Sequence, residues 1–269
     1  NVEVNKSWIC DPGRDLYKII GTGRVTTAHR AGGVVAAQSE LLDEVVSKLQ
    51  AAGANSAFLA TPRASNEDAW AFKKLALAVG GRLDFRVGNP QDKVAVRKDQ
   101  ILQREDRNPN TQGLLNLGLG VTGVDALLAD CKAGKVQVLV LQDGGMLRDP
   151  AVAEAAKQVP YVVAIATHQG PSLAAAHAVI PAAVWAETDG TFTNFDQRVQ
   201  RFKRAFDAPG DAKPRWEIAL DLLTRLGQPI NAGTAADLFV EMAVETKAYA
   251  DLTHRSLGPK GRAAAQASA

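Results

Sequence analysis

Ser56-Ala57-Phe58-Leu59-Ala60-Thr61-Pro62 is an apolar run without polar alternation, closed by a proline that cannot donate to a strand ladder. A strand apolar on both faces belongs inside a parallel sheet covered by helices. The flanking residues supply those helices. Before the run, Leu41, Leu42, Val45, Val46 and Leu49 recur at helical spacing, with Ser39 as the expected N-cap and Gly53 as the expected stop. After it, Ser65 or Asn66 caps a second helix carrying Trp70, Phe72, Leu75, Leu77 and Val79, which ends at Gly80-Gly81. Leu83 to Val87 then predicts another strand. Helix, strand, helix, strand is the rhythm of a layered α/β domain.

Further along, the rhythm resumes after a polar stretch, Lys93 to Gln112, expected to be a surface excursion. A helix over Gly123 to Ala133 precedes a strand over Val136 to Leu141 and a Gly144-Gly145 turn. A helix over Pro150 to Gln158 and strands at Tyr161 to Ala166 and Ala178 to Pro181 follow. Helices over Arg215 to Leu226 and Ala235 to Thr246 end the folded part. Thr22 to Gly33 and Ala182 to Arg204 read as largely irregular, although Gln197 to Arg204 alone has the look of an amphipathic edge strand or exposed helix. Gly258 to Ala269 reads as a disordered tail. The fold class is therefore α/β: a layered, Rossmann-like parallel sheet with flanking helices.

Composition narrows the function classes. The 269 residues are 46% hydrophobic, and 31 basic against 29 acidic residues leave a net charge of +2. That balance carries no field for nucleic acid, and the apolar runs are too short for membrane insertion. Two cysteines, Cys10 and Cys131, are too few for a disulfide framework. Asn1 to Lys6 has neither Met nor an apolar stretch, so a piece cut from a longer chain is expected.

Few residues offer chemistry on their own. Cys10 sits in a turn-rich stretch near Arg14, where backbone N–H groups and a cation suit a thiolate, but one cysteine cannot hold a four-iron cluster. Cys131 falls in a helix and reads as structural. His29, His168, His177 and His254 lack metal-ligand spacing. Gly118-Leu119-Gly120-Val121-Thr122-Gly123 fits GxGxxG, but follows a weak strand candidate, so a plain loop before a helix is the simpler reading. Gly144-Gly145 lies between strand and helix, as a phosphate-holding turn would. Glu187 and Asp189 are close enough to suggest paired carboxylates, although neighbouring acids in a polar loop are usually solvated.

Two stretches together carry a family resemblance. Val4-Asn5-Lys6-Ser7-Trp8-Ile9-Cys10-Asp11-Pro12-Gly13-Arg14 resembles the end of the four-iron domain that opens the molybdopterin-oxidoreductase superfamily. Ala178 to Asn194, with Gly190-Thr191-Phe192-Thr193-Asn194, continuing to Arg198-Val199-Gln200-Arg201, is similar to the GTFTN–RVQ block of the same superfamily. The variant around Cys10 is nearest to the G chain (75 kDa iron–sulfur subunit) of respiratory NADH:quinone oxidoreductase, complex I.

That resemblance implies three regions: residues 1–30 as the end of a 4Fe-4S domain, 31–257 as the α/β domain, and 258–269 as the tail. It implies Cys10 as one 4Fe-4S ligand, the other three lying outside this chain, and Gly190, Thr191, Asn194 and Arg198 as vestigial pterin-side residues. It further implies an electron-transfer scaffold without a catalytic site of its own. Such a scaffold would pack among peripheral-arm subunits in a membrane-attached complex on the cytoplasmic face of the inner membrane. Because no cysteine is placed to ligate molybdenum, no molybdenum cofactor is expected on this reading. The alternatives are a shortened formate dehydrogenase-like oxidoreductase that binds a pterin cofactor, and a free-standing nucleotide-binding module.

Overall fold

The computed structural model describes Val4 and residues 11–86, 106–120 and 123–265. Its centre is a seven-stranded sheet in the order β2-β1-β7-β6-β5-β3-β4. The strands are β1 (His29–Arg30), β2 (Val34–Val35), β3 (Ser56–Ala60), β4 (Arg82–Phe85), β5 (Val138–Leu141), β6 (Tyr161–Ala166) and β7 (Ala178–Pro181). From β4 through β7 every pairing is parallel, and the β1–β2 hairpin adds antiparallel to β7. The α/β expectation stands.

The sheet is apolar on both faces, and alternate residues of its strands enter two separate cores. Phe58, Val138, Val140, Val163, Ile165 and Ile180 face one. That face is covered by α2 (Gln38–Ala52), α3 (Asn66–Ala78), α7 (Arg215–Arg225) and α8 (Ala235–Glu245). Leu59, Leu139, Leu141, Val162 and Ala164 face the other, under α5 (Val124–Lys132) and α6 (Pro150–Ala156). Each fully buried Leu or Phe contributes about 1.5–3 kcal/mol, so this two-sided burial dominates the stability of the sheet. The short helices α4 (Thr111–Asn116) and α9 (His254–Leu257) add Leu114 and Leu257 to the first core, and α1 (Asp11–Asp15) precedes the sheet in the chain.

Several local expectations need correction. Helix α2 starts at Gln38 with Ala37 at the N-cap and no side-chain cap, because the Ser39 hydroxyl instead accepts from Arg225 at 3.0 Å. Helix α3 does use Ser65: its hydroxyl accepts from the Asp68 amide at 3.0 Å, and Asp68 accepts in return from the Ser65 amide at 3.1 Å. Residues 111–116 at the end of the supposed surface excursion form α4, with Asn110 and Thr111 buried.

The span read as irregular, 182–204, contains β8 (Gly190–Thr193) and β9 (Arg198–Phe202), an antiparallel hairpin. The tail read as disordered adds β10 (Arg262–Ala263) to β9, which makes a second, three-stranded sheet. Backbone pairing across about sixty residues placed β10 there, and no local periodicity announces it. The boundary drawn at residue 30 falls inside the β1–β2 hairpin.

Candidate functional site

Strand β4 lies on one side of β3, whereas β5 and all later parallel strands lie on the other. The chain therefore reverses its direction of winding between β3 and β5. In open α/β sheets the loops leaving the strand ends diverge at such a point and leave a crevice that ligands occupy. Here the crevice is a cleft of about 450 Å³, within the usual range for ligand sites.

Its walls are the residues that follow the strands. Thr61, Pro62 and Arg63 leave β3, Arg86 leaves β4, and Asp143, Gly145, Met146 and Arg148 leave β5. Thr167, His168 and Gln169 leave β6, and Thr22 and Gly23 close the far side. Three arginines thus face two aspartates. Arg86 pairs with Asp149 at 2.6 Å, and Asp149 also caps α6 by accepting from the Ala151 amide. Asp143 accepts from the Gly145 amide at 2.8 Å. Arg63 and Arg148 are exposed at the cleft and make no ion pair among the described residues. Two uncommitted guanidinium forks beside the Thr22, Thr61 and Thr167 hydroxyls suit a phosphate-bearing ligand.

The Gly144-Gly145 turn holds the position its sequence implied. A side chain at Gly144 would meet Leu173 at 2.6 Å and Ala166 at 2.9 Å, so glycine lets the β5 exit press against β6. The other glycine pattern is not a nucleotide fingerprint. Gly118 follows helix α4 instead of a strand, and residues 121–122 lie outside the described residues.

Gly190, Thr191, Asn194 and Arg198, which the resemblance assigned to a pterin side, lie in and around the β8–β9 hairpin. Gly190 starts β8, where a Cβ would meet Phe202 at 2.8 Å and Ser65 at 3.0 Å. Thr191 is buried: its amide and hydroxyl both donate to Glu67, at 2.8 and 3.0 Å. Asn194 accepts from the amides of Asp196 and Arg198 and so shapes the hairpin turn. Arg198 donates to the Lys260 carbonyl at 3.4 Å, joining β9 to the tail. None of the four lines the cleft.

This block forms a lock between the hairpin and α3. Asn66 donates to the Thr191 and Thr193 hydroxyls at 2.9 and 3.1 Å, and the Thr193 hydroxyl meets Tyr249 at 2.9 Å. His254 Nε2 lies 2.8 Å from the fully buried Glu67 carboxylate. Burial holds the Tyr249 phenol far above its ordinary range, so it acts as a neutral hydrogen-bonding group.

The remaining candidates are also placed. Glu187 and Asp189 do not form a carboxylate pair: Glu187 is bound by Arg24, and Asp189 accepts from the Arg204 amide. His177 accepts from the Val162 amide and stacks on Tyr161, and His29 lies 3.2 Å from the Thr27 carbonyl. His168 alone among the histidines lines the cleft. Cys131 is fully buried, and burial pushes its thiol up to about 11. Cys10 lies outside the described residues. Sequence reasoning missed Arg63, Arg86 and Arg148. The available signal was position, since Arg86 follows β4 directly, Arg63 lies three residues after β3 and Arg148 seven after β5.

Comparison with known proteins bears on the same region. Residues 108–225 match the family model described as Molybdopterin oxidoreductase. The chain is 38% identical over 157 residues to F420-dependent formate dehydrogenase 2 subunit alpha of Methanococcus maripaludis, covering 55% of this chain and 22% of that protein. It is 33% identical over 153 residues to F420-dependent formate dehydrogenase 1 subunit alpha of the same organism, again spanning 22% of it. Among solved structures, acetylene hydratase from Pelobacter acetylenicus aligns over 43% of the chain at 15% identity with a TM-score of 0.37. The chain thus spans about a fifth of the length of the curated relatives it matches.

These matches overturn the expectation of no molybdenum cofactor, since they point to a molybdenum or tungsten pterin. That expectation rested on a missing metal-ligating thiolate. The residues that follow β5 and β6, which line the cleft, lie within the matched span.

Proposed function

We propose that this chain forms part of a formate dehydrogenase-like, molybdopterin-dependent oxidoreductase, and that its strand-end cleft grips the phosphate-bearing portion of the pterin cofactor. The observation that carries this reading is that Arg63 and Arg148, which make no ion pair among the described residues, both line the cleft at the winding reversal of the sheet. The donor set fits an anionic group: guanidinium forks and hydroxyls predominate, and both aspartates are engaged in capping or ion pairing.

When bound, the pterin-held metal supplies the two-electron redox chemistry. The residues of this chain bind and orient. Arg63 and Arg148 neutralise phosphate oxygens, Thr61 offers a hydroxyl donor, and the Arg86–Asp149 pair holds the β4 exit against α6. Ordering the two exposed arginine side chains on the ligand costs about 0.5–1.5 kcal/mol each, which their charged hydrogen bonds must exceed.

Cys10 is proposed as one ligand of a 4Fe-4S cluster completed by residues outside this chain, which would carry electrons away from the pterin. Partners are accordingly proposed among iron–sulfur electron-transfer subunits, in a complex on the cytoplasmic face of the membrane. No helix among the described residues is long and apolar enough to cross a membrane. A complex I scaffold is the second reading, favoured by the Val4 to Arg14 motif.

Metal and pterin analysis of the natively purified assembly tests the proposal. Molybdenum or tungsten with an extractable pterin, both lowered in an Arg63→Ala, Arg148→Ala double variant, is the expected result. Full cofactor content in that variant would remove the cleft from the reading.

A further inference from the structure

The far wall of the cleft, Thr22-Gly23 and Thr167-His168-Gln169, belongs to no regular strand. Two backbone hydrogen bonds, Val25 amide to Thr167 carbonyl at 3.0 Å and Gln169 amide to Gly23 carbonyl at 2.6 Å, join its halves in an isolated bridge. So short a ladder has little rigidity of its own. Beside it lies Arg24, whose side chain is only 6% exposed. Its Nε donates to the Thr167 carbonyl at 2.9 Å, Nη1 to the Ile20 carbonyl at 3.2 Å and Nη2 to the Ala182 carbonyl at 3.2 Å. The same two terminal nitrogens form a fork on the Glu187 carboxylate, with Nη2 2.7 Å from Oε2. Glu187 is 2% exposed, and it also accepts from the Val184 amide at 2.9 Å.

Each backbone acceptor of Arg24 lies on a segment outside the strands: the lead-in to the wall, the exit of β6 and the exit of β7. The pair therefore ties the loops to one another at the carboxyl end of the sheet. A planar fork fixed by five hydrogen bonds also sets direction, which a lysine ammonium cannot reproduce. Removing either partner would leave the other buried and unpaired, so the geometry is held tightly.

We propose that Arg24 and Glu187 are the positioning residues of the cleft: they fix the wall formed by 22–23 and 167–169 relative to Arg63 and Arg148, and thereby set its affinity for phosphate-bearing ligands. This rests on the phosphate-binding reading of the cleft. It adds that neither residue touches the ligand, and that affinity depends on a pair 163 residues apart in the chain.

The test uses Arg24→Lys and Glu187→Gln in the full chain, with Arg30→Lys as control. Arg30 pairs with Glu44 at 2.8 Å at the opposite end of β6, beside Tyr161. Inorganic pyrophosphate is the calorimetric probe, and amide hydrogen exchange at Val25 and Gln169 is the second measurement. Arg24→Lys and Glu187→Gln are expected to weaken pyrophosphate binding about tenfold, as a loosened supporting shell does. They are also expected to speed exchange at those two amides while amides of β3 and β5 stay protected. Arg30→Lys should leave both readouts unchanged. Wild-type affinity in both cleft variants, or exchange that rises equally across the sheet, would overturn the positioning role. Failure of the wild-type chain to bind pyrophosphate, with exchange still rising only at Val25 and Gln169, would instead overturn the phosphate reading and keep the wall assignment.

Discussion

The side-chain carbonyl of Gln142 accepts a hydrogen bond from the Thr61 amide at 3.0 Å, joining the exits of β5 and β3 across the winding reversal. Gln142 is fully buried, and its Nε2 donates to the Asp68 carbonyl at 2.8 Å. Its own carbonyl accepts from Arg215 at 2.9 Å. One amide thus holds one side of the cleft, as Arg24 and Glu187 hold the other.

Gln142→Leu should lower stability by about 1–3 kcal/mol, because it strands the buried Thr61 N–H and the Asp68 carbonyl. The urea midpoint should fall with an unchanged slope. An unmoved midpoint would show that the Thr61 bond contributes nothing.

Arg63→Ala and Arg148→Ala should each weaken pyrophosphate binding by about tenfold or more, the scale of one charged hydrogen bond. Stability should stay within about 0.5 kcal/mol of the parent, since both side chains are exposed and make no ion pair among the described residues. The remaining affinity should also depend less steeply on salt.

A double-mutant cycle on Glu67→Ala and His254→Ala should give a coupling energy of about 0.5–3 kcal/mol in thermal or urea unfolding. Glu67→Ala alone should be the more damaging change, because it deprives the Thr191 amide and hydroxyl as well as His254 of their acceptor. Additivity would show that the two side chains act independently.

Glu217 makes stability depend on pH. Its carboxyl is held above its ordinary value of 4.5, chiefly by burial, with Lys213 and Arg204 offsetting part of the effect and Asp68 adding to it. The folded state therefore binds the proton more tightly than the unfolded state. Its contribution is fully present below about 4.5 and is lost as pH rises through the elevated folded value. Glu217→Gln should be more stable than the parent at pH 7 and lose that advantage in acid. Parallel stability curves across the range would contradict the burial effect.

Much of the sheet was legible because its signal is local. Phe58, Leu59, Leu139, Val140, Val163 and Ala164 announce strands buried on both faces by their own runs, and Ser65, one of two expected caps, announces α3. The hairpin of β8 and β9 was harder to see. Gly190, Thr191, Thr193 and Asn194 look like a polar loop, yet they are satisfied by Asn66, Glu67 and Tyr249, far away in the chain. The same block carried the family resemblance. Its residues build a packing lock, while the cleft draws on Arg63, Arg148 and the strand exits.

By itself the sequence determined the α/β class, the strands β3 to β7, most of the flanking helices and the superfamily resemblance, since periodicity and capping act over a few residues. Only the tertiary structure decided where the cleft lies, that Arg63 and Arg148 face it, and that Arg24 meets Glu187 across 163 positions. Strand order and long-range hydrogen bonds arise when the whole sheet closes. Whether a polar residue is solvated or becomes part of a buried network is settled by that closure, and by no pattern in its immediate neighbours.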